Sequence, residues 1–466
     1  MWYYISETWD KEVIVVLYRK VYNKIKSWYN SSYKKSLLIE GARQIGKTYI
    51  IRKFLEENTK SFVEFNLFEN DLAKHAFESA TNAKELLLRI SALSDKKLIK
   101  GETVIFIDEV QAADEIITKI KFLIEDGSYK YILSGSLLGI TYKNVNSLPV
   151  GYMDVYEMRP LDFEEFAIAN GVSADTLNYL KECFENKIKV DDIIHKQMTQ
   201  LFNLYTIIGG FPEAVSAFLK TNNLQNVHLV HETIDKLYKL DVSKYVKEEG
   251  LIIKDIYNLI PSELNSPNKR FIIKNLKEKT NLYRYEESLV WLLNSNIGLF
   301  TYNVDNPVYP LLASKNRRLF KLYLCDTGLL SYYLFDDNGI RVLSGDINVN
   351  YGATYENVVA QELKAHNFSL YYYNGKKRGE VDFLIEKEGK IIPIEVKSGK
   401  DYKRHVALNN LLNAKEFKID KAYTLCNSNL EIDDKRVYLP IYMIMFLSNE
   451  KRKIDLKIDL DLSALK

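Results

Sequence analysis

The residues best placed by type and spacing to do chemistry lie in LLIEGARQIGKTYIIRKF, where Gly41, Gly46, Lys47 and Thr48 fit the spacing GxxxxGK[ST] between an apolar run and an amphipathic one. Glycines at those positions let the backbone curl so that its N–H groups face an anion, and the start of the following helix adds partial positive charge. A lysine there bridges the outer phosphates of a nucleotide, and the next hydroxyl ligates magnesium. The binding set is therefore the loop itself: Gly41, Ala42, Arg43, Gln44, Ile45, Gly46, Lys47, Thr48 and Tyr49. About sixty residues later, TVIFIDEVQ ends an apolar run on Asp108 and Glu109. An acid at the carboxyl edge of a strand can hold the magnesium shell, and Glu109 can orient or deprotonate an attacking water. An apolar strand with an acidic end is common by itself; following the loop at this distance, it points to ATP and Mg2+. A further strand, KYILSGSLLG, ends on Ser134, Gly135 and Ser136. The Ser136 hydroxyl can touch the terminal phosphate, and helix capping explains a serine there equally well.

A second constellation is GEVDFLIEKEGKIIPIEVKSGK, residues 379–400. Alternate residues of a strand share a face, so Glu395 and Lys397 point the same way, and a hairpin turn at Gly389 brings Asp382 beside Glu395. Carboxylates that converge in this way can hold a divalent metal, while a neighbouring lysine polarises water toward phosphorus. The expected ligands are Glu356, from GATYENVVAQEL, with Asp382 and Glu395, and Lys397 is the catalytic candidate. Two plainer explanations stand beside this: chance alternation on an exposed strand, and a fold retained for binding with its acids structural.

The chain has 466 residues and 47% hydrophobic content, enough for several cores, and three domains are expected. Lys plus Arg (64) nearly cancels Asp plus Glu (62), so composition gives no sign of a protein that coats nucleic acid through overall charge, and any polyanion site must be local. Cys183, Cys325 and Cys426 form no CxxC pair, against a zinc module or disulfide framework and in favour of a reducing compartment. No apolar stretch approaches the ~18 residues of a membrane span, and the N-terminus lacks the features of a secretory signal. A cytoplasmic protein is expected. The densest positive charge, NKRFIIKNLKEKTNLYRY at 268–285, has six basic residues and one acid. It suits a phosphate backbone, though a solvated helix face is the favoured reading.

Periodicity gives an N-terminal helix within 1–35, then strands at 36–40, 62–67, 104–108, 131–134 and 154–158 with helical segments between them. That alternation means a parallel sheet wrapped by helices over 36–165. A helical lid follows over 166–250, interrupted by IIGGFPEA. Residues 251–345 read as winged-helix-like, 352–446 as a further α/β domain and 447–466 as a charged tail.

With GARQIGKT, FIDEVQ, LSGS, PVGYMDVYEMRPLDFEEF and GGFPEAV, the chain resembles the archaeal and bacterial branch of AAA-type P-loop ATPases. RLFKLYLCDTGLL resembles the segment that precedes the C-terminal domain in that branch. The order Glu356, Asp382, Glu395, Lys397 is similar to the PD-(D/E)xK nuclease fold, with Val381 where proline is frequent. The resemblance spans about 36–445 and implies ATP and Mg2+ as cofactors, with DNA or a protein as further partner. The position after the PVG segment, basic in many relatives, is Tyr152 here, and Arg159 does not occupy it. Two functions follow as expectations: an ATP-regulated DNA-processing enzyme, or an ATP-driven switch whose nuclease-like domain binds without cutting.

Overall fold

The computed structural model describes residues 16–32, 35–113, 115–136, 151–245, 249–272, 282–344, 351–399 and 401–449. Expectations for the first fifteen residues, most of the PVG segment, 273–281 of the basic run and most of the charged tail lie outside them.

Five strands, β1 (Ser36–Glu40), β2 (Ser61–Asn66), β3 (Thr103–Asp108), β4 (Lys130–Gly135) and β5 (Met153–Glu157), form a parallel sheet in the order β2-β3-β4-β1-β5. The central strands read as unbroken apolar runs because helices cover both faces. The pleat divides them: Leu37 and Ile39 enter one core, whereas Leu38 enters another with Phe65, Phe77 and Ile107. The carboxyl ends of β1, β3 and β4 lie side by side, and the phosphate loop and the Asp108 acid both leave from there.

The remaining strands are β6 (Gly298–Val304), β7 (Lys315–Leu324), β8 (Tyr371–Gly375), β9 (Gly379–Lys387), β10 (Lys390–Val396), β11 (Ala422–Cys426), β12 (Glu431–Asp433) and β13 (Arg436–Pro440). They form one mixed sheet, β12-β13-β11-β10-β9-β8-β6-β7. This corrects the winged-helix expectation. The strands read as a wing, β6 and β7, extend the C-terminal sheet through the parallel pairing of Tyr302, Asn303 and Val304 with Tyr371, Tyr372 and Tyr373. Sequence periodicity marks a strand but not its partner, and these partners lie about seventy residues apart.

Between the sheets, the helix Gly352–Ala365 is buried from Ala353 to Leu363. One apolar core runs from Ile51 and Phe54 through Phe202 and Tyr205 to Leu329, Val359 and Leu439, so the nucleotide-binding side and the C-terminal sheet are packed as one body. Among the described residues, no helix is long and apolar enough to cross a membrane.

Candidate functional site

The loop after β1 turns sharply. Gly41 has φ +154°, and a Cβ there would lie 2.2 Å from the Met158 carbonyl oxygen, so only glycine fits. The helix Lys47–Asn58 begins directly after Gly46. Lys47 is buried, and its ammonium donates to the carbonyls of Gly41 (3.1 Å) and Ala42 (2.8 Å). Burial lowers its pKa to about 8, against the raising pull of Glu109 and Asp108 and with help from Arg43.

Thr48 Oγ1 donates to Asp108 Oδ2 at 2.9 Å, joining the two expected magnesium ligands across a sequence gap of 60 residues. Ser134 Oγ donates to the other oxygen, Oδ1, which also accepts from the Glu109 amide at 3.0 Å. Glu109 has a positive φ of 54°, which turns its side chain away from the strand line, and Gln111 Nε2 donates to its Oε2. Gln111 Oε1 in turn accepts from the Ser136 amide at 3.1 Å, while the Ser136 hydroxyl is buried without a hydrogen-bond partner.

Arg43, Lys47, Thr48, Asn66 and Glu109 line a cavity of about 520 Å³. On the other side of Gly46, Leu17, Tyr49, Ile50 and Pro212 line a second one of about 290 Å³. A hydroxyl and a carboxylate in contact, beside a lysine and an unpartnered buried hydroxyl, suit a magnesium-bound triphosphate on the first side. The apolar walls of the second suit a base.

Sequence reasoning missed several groups that hold this site. Gln111 was visible in FIDEVQ but carries no motif role. Arg19 donates to the loop carbonyl of Ile45 (3.0 Å), to the Arg159 carbonyl (2.5 Å) and to Glu165 Oε2 (3.1 Å). The Arg43 side chain pairs with Asp241 at 2.6 Å, and Tyr238 OH donates to the Arg43 carbonyl at 3.0 Å, both from the helix Leu224–Tyr245. The turn Gly209–Gly210 meets Asp326 of DTGLL: Gly210 N donates to Asp326 Oδ2 at 2.6 Å, and a Cβ on Gly209 would lie 2.1 Å from Oδ1. Tyr152 lies away from the loop, its hydroxyl donating to Glu125 at 2.7 Å, and Arg159 pairs with Glu157.

In the C-terminal sheet the β9–β10 register reaches Phe383 opposite Ile394, and Asp382 Oδ2 accepts from the Val396 amide at 2.8 Å, so Asp382 sits beside Glu395 as expected. Lys397 pairs with Glu395 at 2.7 Å. Glu356 joins them from the buried helix, but its oxygens are occupied. Lys269 pairs with Oε1; Lys321 Nζ (3.2 Å) and Tyr323 OH (2.9 Å) reach Oε2. Burial opposes the Glu356 charge, yet Lys321 and Lys269 outweigh it and hold the carboxyl down to about 2. Burial raises Asp382, and Glu356 and Glu395 add to the rise.

Glu356, Asp382 and Glu395 are the residues expected to hold a metal ion, and lysines already pair with two of them, Glu356 and Glu395. Among the described residues, no group of three or more His, Cys, Asp or Glu side chains is arranged to hold one. Of the cations in the basic run, only Lys269 and Arg270 have described side chains. Lys269 and Arg270 turn inward to Glu356 and Glu380.

Three families match separate parts of the chain: the AAA domain over residues 33–167, a domain of unknown function (DUF8612) over 199–338, and another (DUF4143) over 351–444. No curated protein matches. Among solved structures, the chain is similar to a Walker-type ATPase of Pyrococcus abyssi, with 13% identity, TM-score 0.40 and coverage of 68% of this chain and 95% of that one. It is also similar to the Aeropyrum pernix Orc1 protein in complex with DNA (12%, 0.29, 71% and 93%). A third is the Thermotoga maritima RuvB Holliday junction branch migration motor (12%, 0.28, 60% and 89%). At these TM-scores nothing about function follows from the structural likenesses. The AAA match falls on the strands and loop that bring Lys47, Thr48, Asp108 and Glu109 together, and residues 33–167 form an AAA-type P-loop ATPase domain.

Proposed function

We propose that the chain binds and hydrolyses ATP with Mg2+ in the cavity beside Lys47, and that the nucleotide state is passed through the lid to a C-terminal domain that does not cut DNA. The contact between Thr48 and Asp108 carries the first part, since it joins two oxygens that would serve in the octahedral shell of a magnesium ion. Bound there, the ion screens the phosphate charge. Gly41 to Tyr49 cradle the phosphates, Lys47 leaves its own loop carbonyls for their oxygens, and Ser136 offers a hydroxyl. Glu109, steadied by Gln111, takes the proton of the water that attacks the terminal phosphorus, giving ADP and phosphate.

The switch is supported by the chain of contacts outward from the loop. Arg43 pairs with Asp241, Pro212 lies against Gly46, and the same turn is held by Asp326, two residues after β7. A loop that moves with its phosphates pulls on all three. The non-cutting role is favoured over DNA cleavage by the occupied oxygens of Glu356. The partner acted on is a protein or nucleic acid bound without cleavage.

Turnover of ATP alongside plasmid and single-stranded DNA, in Mg2+ or Mn2+, tests the reading. The expected result is phosphate release with intact DNA. Nicking that disappears in Asp382→Asn would return the chain to the DNA-processing alternative.

A further inference from the structure

We infer that Lys321 is a built-in counter-ion: its ammonium stands among Glu356, Glu380 and Asp382, so the cluster works as a charge-paired joint between β7 and the C-terminal domain and takes no divalent metal. This rests on the non-cutting reading of that domain. Lys321 Nζ lies 2.8 Å from Glu380, 3.2 Å from Glu356 and 3.9 Å from Asp382, and its side chain is fully buried. A metal ion shared by Glu356, Glu380 and Asp382 would compete with this nitrogen for the same oxygens.

The cluster also carries no excess of negative charge. Glu356, Glu380, Asp382 and Glu395 face Lys269, Arg270, Lys321 and Lys397 among the described residues, and burial favours a proton on Asp382 and Glu395. A divalent cation added to that set brings two unbalanced positive charges into a buried place, where they are strongly disfavoured. An acidic cluster built for metal keeps an excess of negative charge, as in oxygen-ligand sites generally. The partition of the charges is equally telling. Lys269 and Lys321 belong to the segment matching one family and the acids to the segment matching another, so the pairs fasten two parts of the chain together.

The test is Mn2+ titration of the full chain without nucleotide, read by electron paramagnetic resonance and by thermal unfolding. Wild type is expected to show no Mn2+ binding and no rise in Tm that Glu356→Gln or Asp382→Asn removes; binding removed only by Asp108→Asn belongs to the phosphate loop and leaves the inference standing. Lys321→Met should lower Tm by about 3–5 °C, and Lys321→Met with Glu356→Gln by less than the two singly, because the double change removes an acid together with its counter-charge. Mn2+ binding to wild type that vanishes in Glu356→Gln overturns the counter-ion, and this readout needs no destabilised variant. If DNA stays intact in that case, the switch reading survives; if DNA is also cut, both fall.

Discussion

Two buried acids, Asp108 and Glu356, each sit within reach of lysines, and the molecule treats them in opposite ways. Among the described residues Asp108 accepts from neutral donors, the hydroxyls of Thr48 and Ser134 and the Glu109 amide, while Lys47 donates to neutral carbonyls. Among the described residues neither is in an ion pair, so both charges remain for a metal and a phosphate to come. Glu356 is bound by two ammonium groups, Lys269 and Lys321, and its charge is already answered. The types of residue are the same in both places. What differs is whether dipoles or opposite charges satisfy them, and that separates a site prepared for ligand from a structural joint.

Substitutions sharpen the contrast, and the largest change in stability belongs to the joint. Lys321→Met takes the fully buried counter-charge from Glu356, Glu380 and Asp382 and should cost about 3–5 kcal/mol in chemical denaturation. A loss under about 1 kcal/mol would mean that the cluster does not hold the sheet. Lys47→Ala should leave the fold intact and weaken ATP binding by about 100-fold, the worth of its charge-assisted hydrogen bonds to phosphate. Equal affinity of mutant and wild type in a fluorescent-nucleotide titration would remove the loop from the account.

Asp326 gives a smaller, pH-dependent effect. Burial raises its pKa from 3.8 to about 6, although the amides of Gly210, Leu329 and Gly328 pull the other way. Because the folded value is the higher one, its stabilising contribution is full below about pH 4 and lost as pH rises through about 6. Asp326→Asn should flatten that part of a Tm-against-pH curve, and an unchanged slope would contradict the assignment. Lys397→Ala should cost only about 1 kcal/mol, since Lys397 is 29% exposed and burial already favours a proton on Glu395.

The nucleotide site was legible because its parts are contiguous. One short stretch contains both glycines, Lys47 and Thr48, and a strand end supplies Asp108 and Glu109. The C-terminal site was legible only in part. The register that sets Asp382 beside Glu395 follows from a hairpin, a local feature. The groups that decide its chemistry are not local: Lys321 and Lys269 lie 35 and 87 residues from Glu356. Lys321 arrives on a strand whose place in the C-terminal sheet depends on the pairing of β6 with β8. Nothing in the sequence NKRFIIKN shows that its first two cations turn inward, because an amphipathic pattern separates faces without naming their partners.

The most direct test of the central claim, that the neutral-donor site is the one that works on a ligand, is Glu109→Gln. Measured with Mg·ATP, this variant should bind nucleotide as tightly as wild type and release phosphate about 100-fold to 10,000-fold more slowly, since it keeps the shape and loses the base. Turnover at the wild-type rate would contradict the role of Glu109 and with it the account of the site.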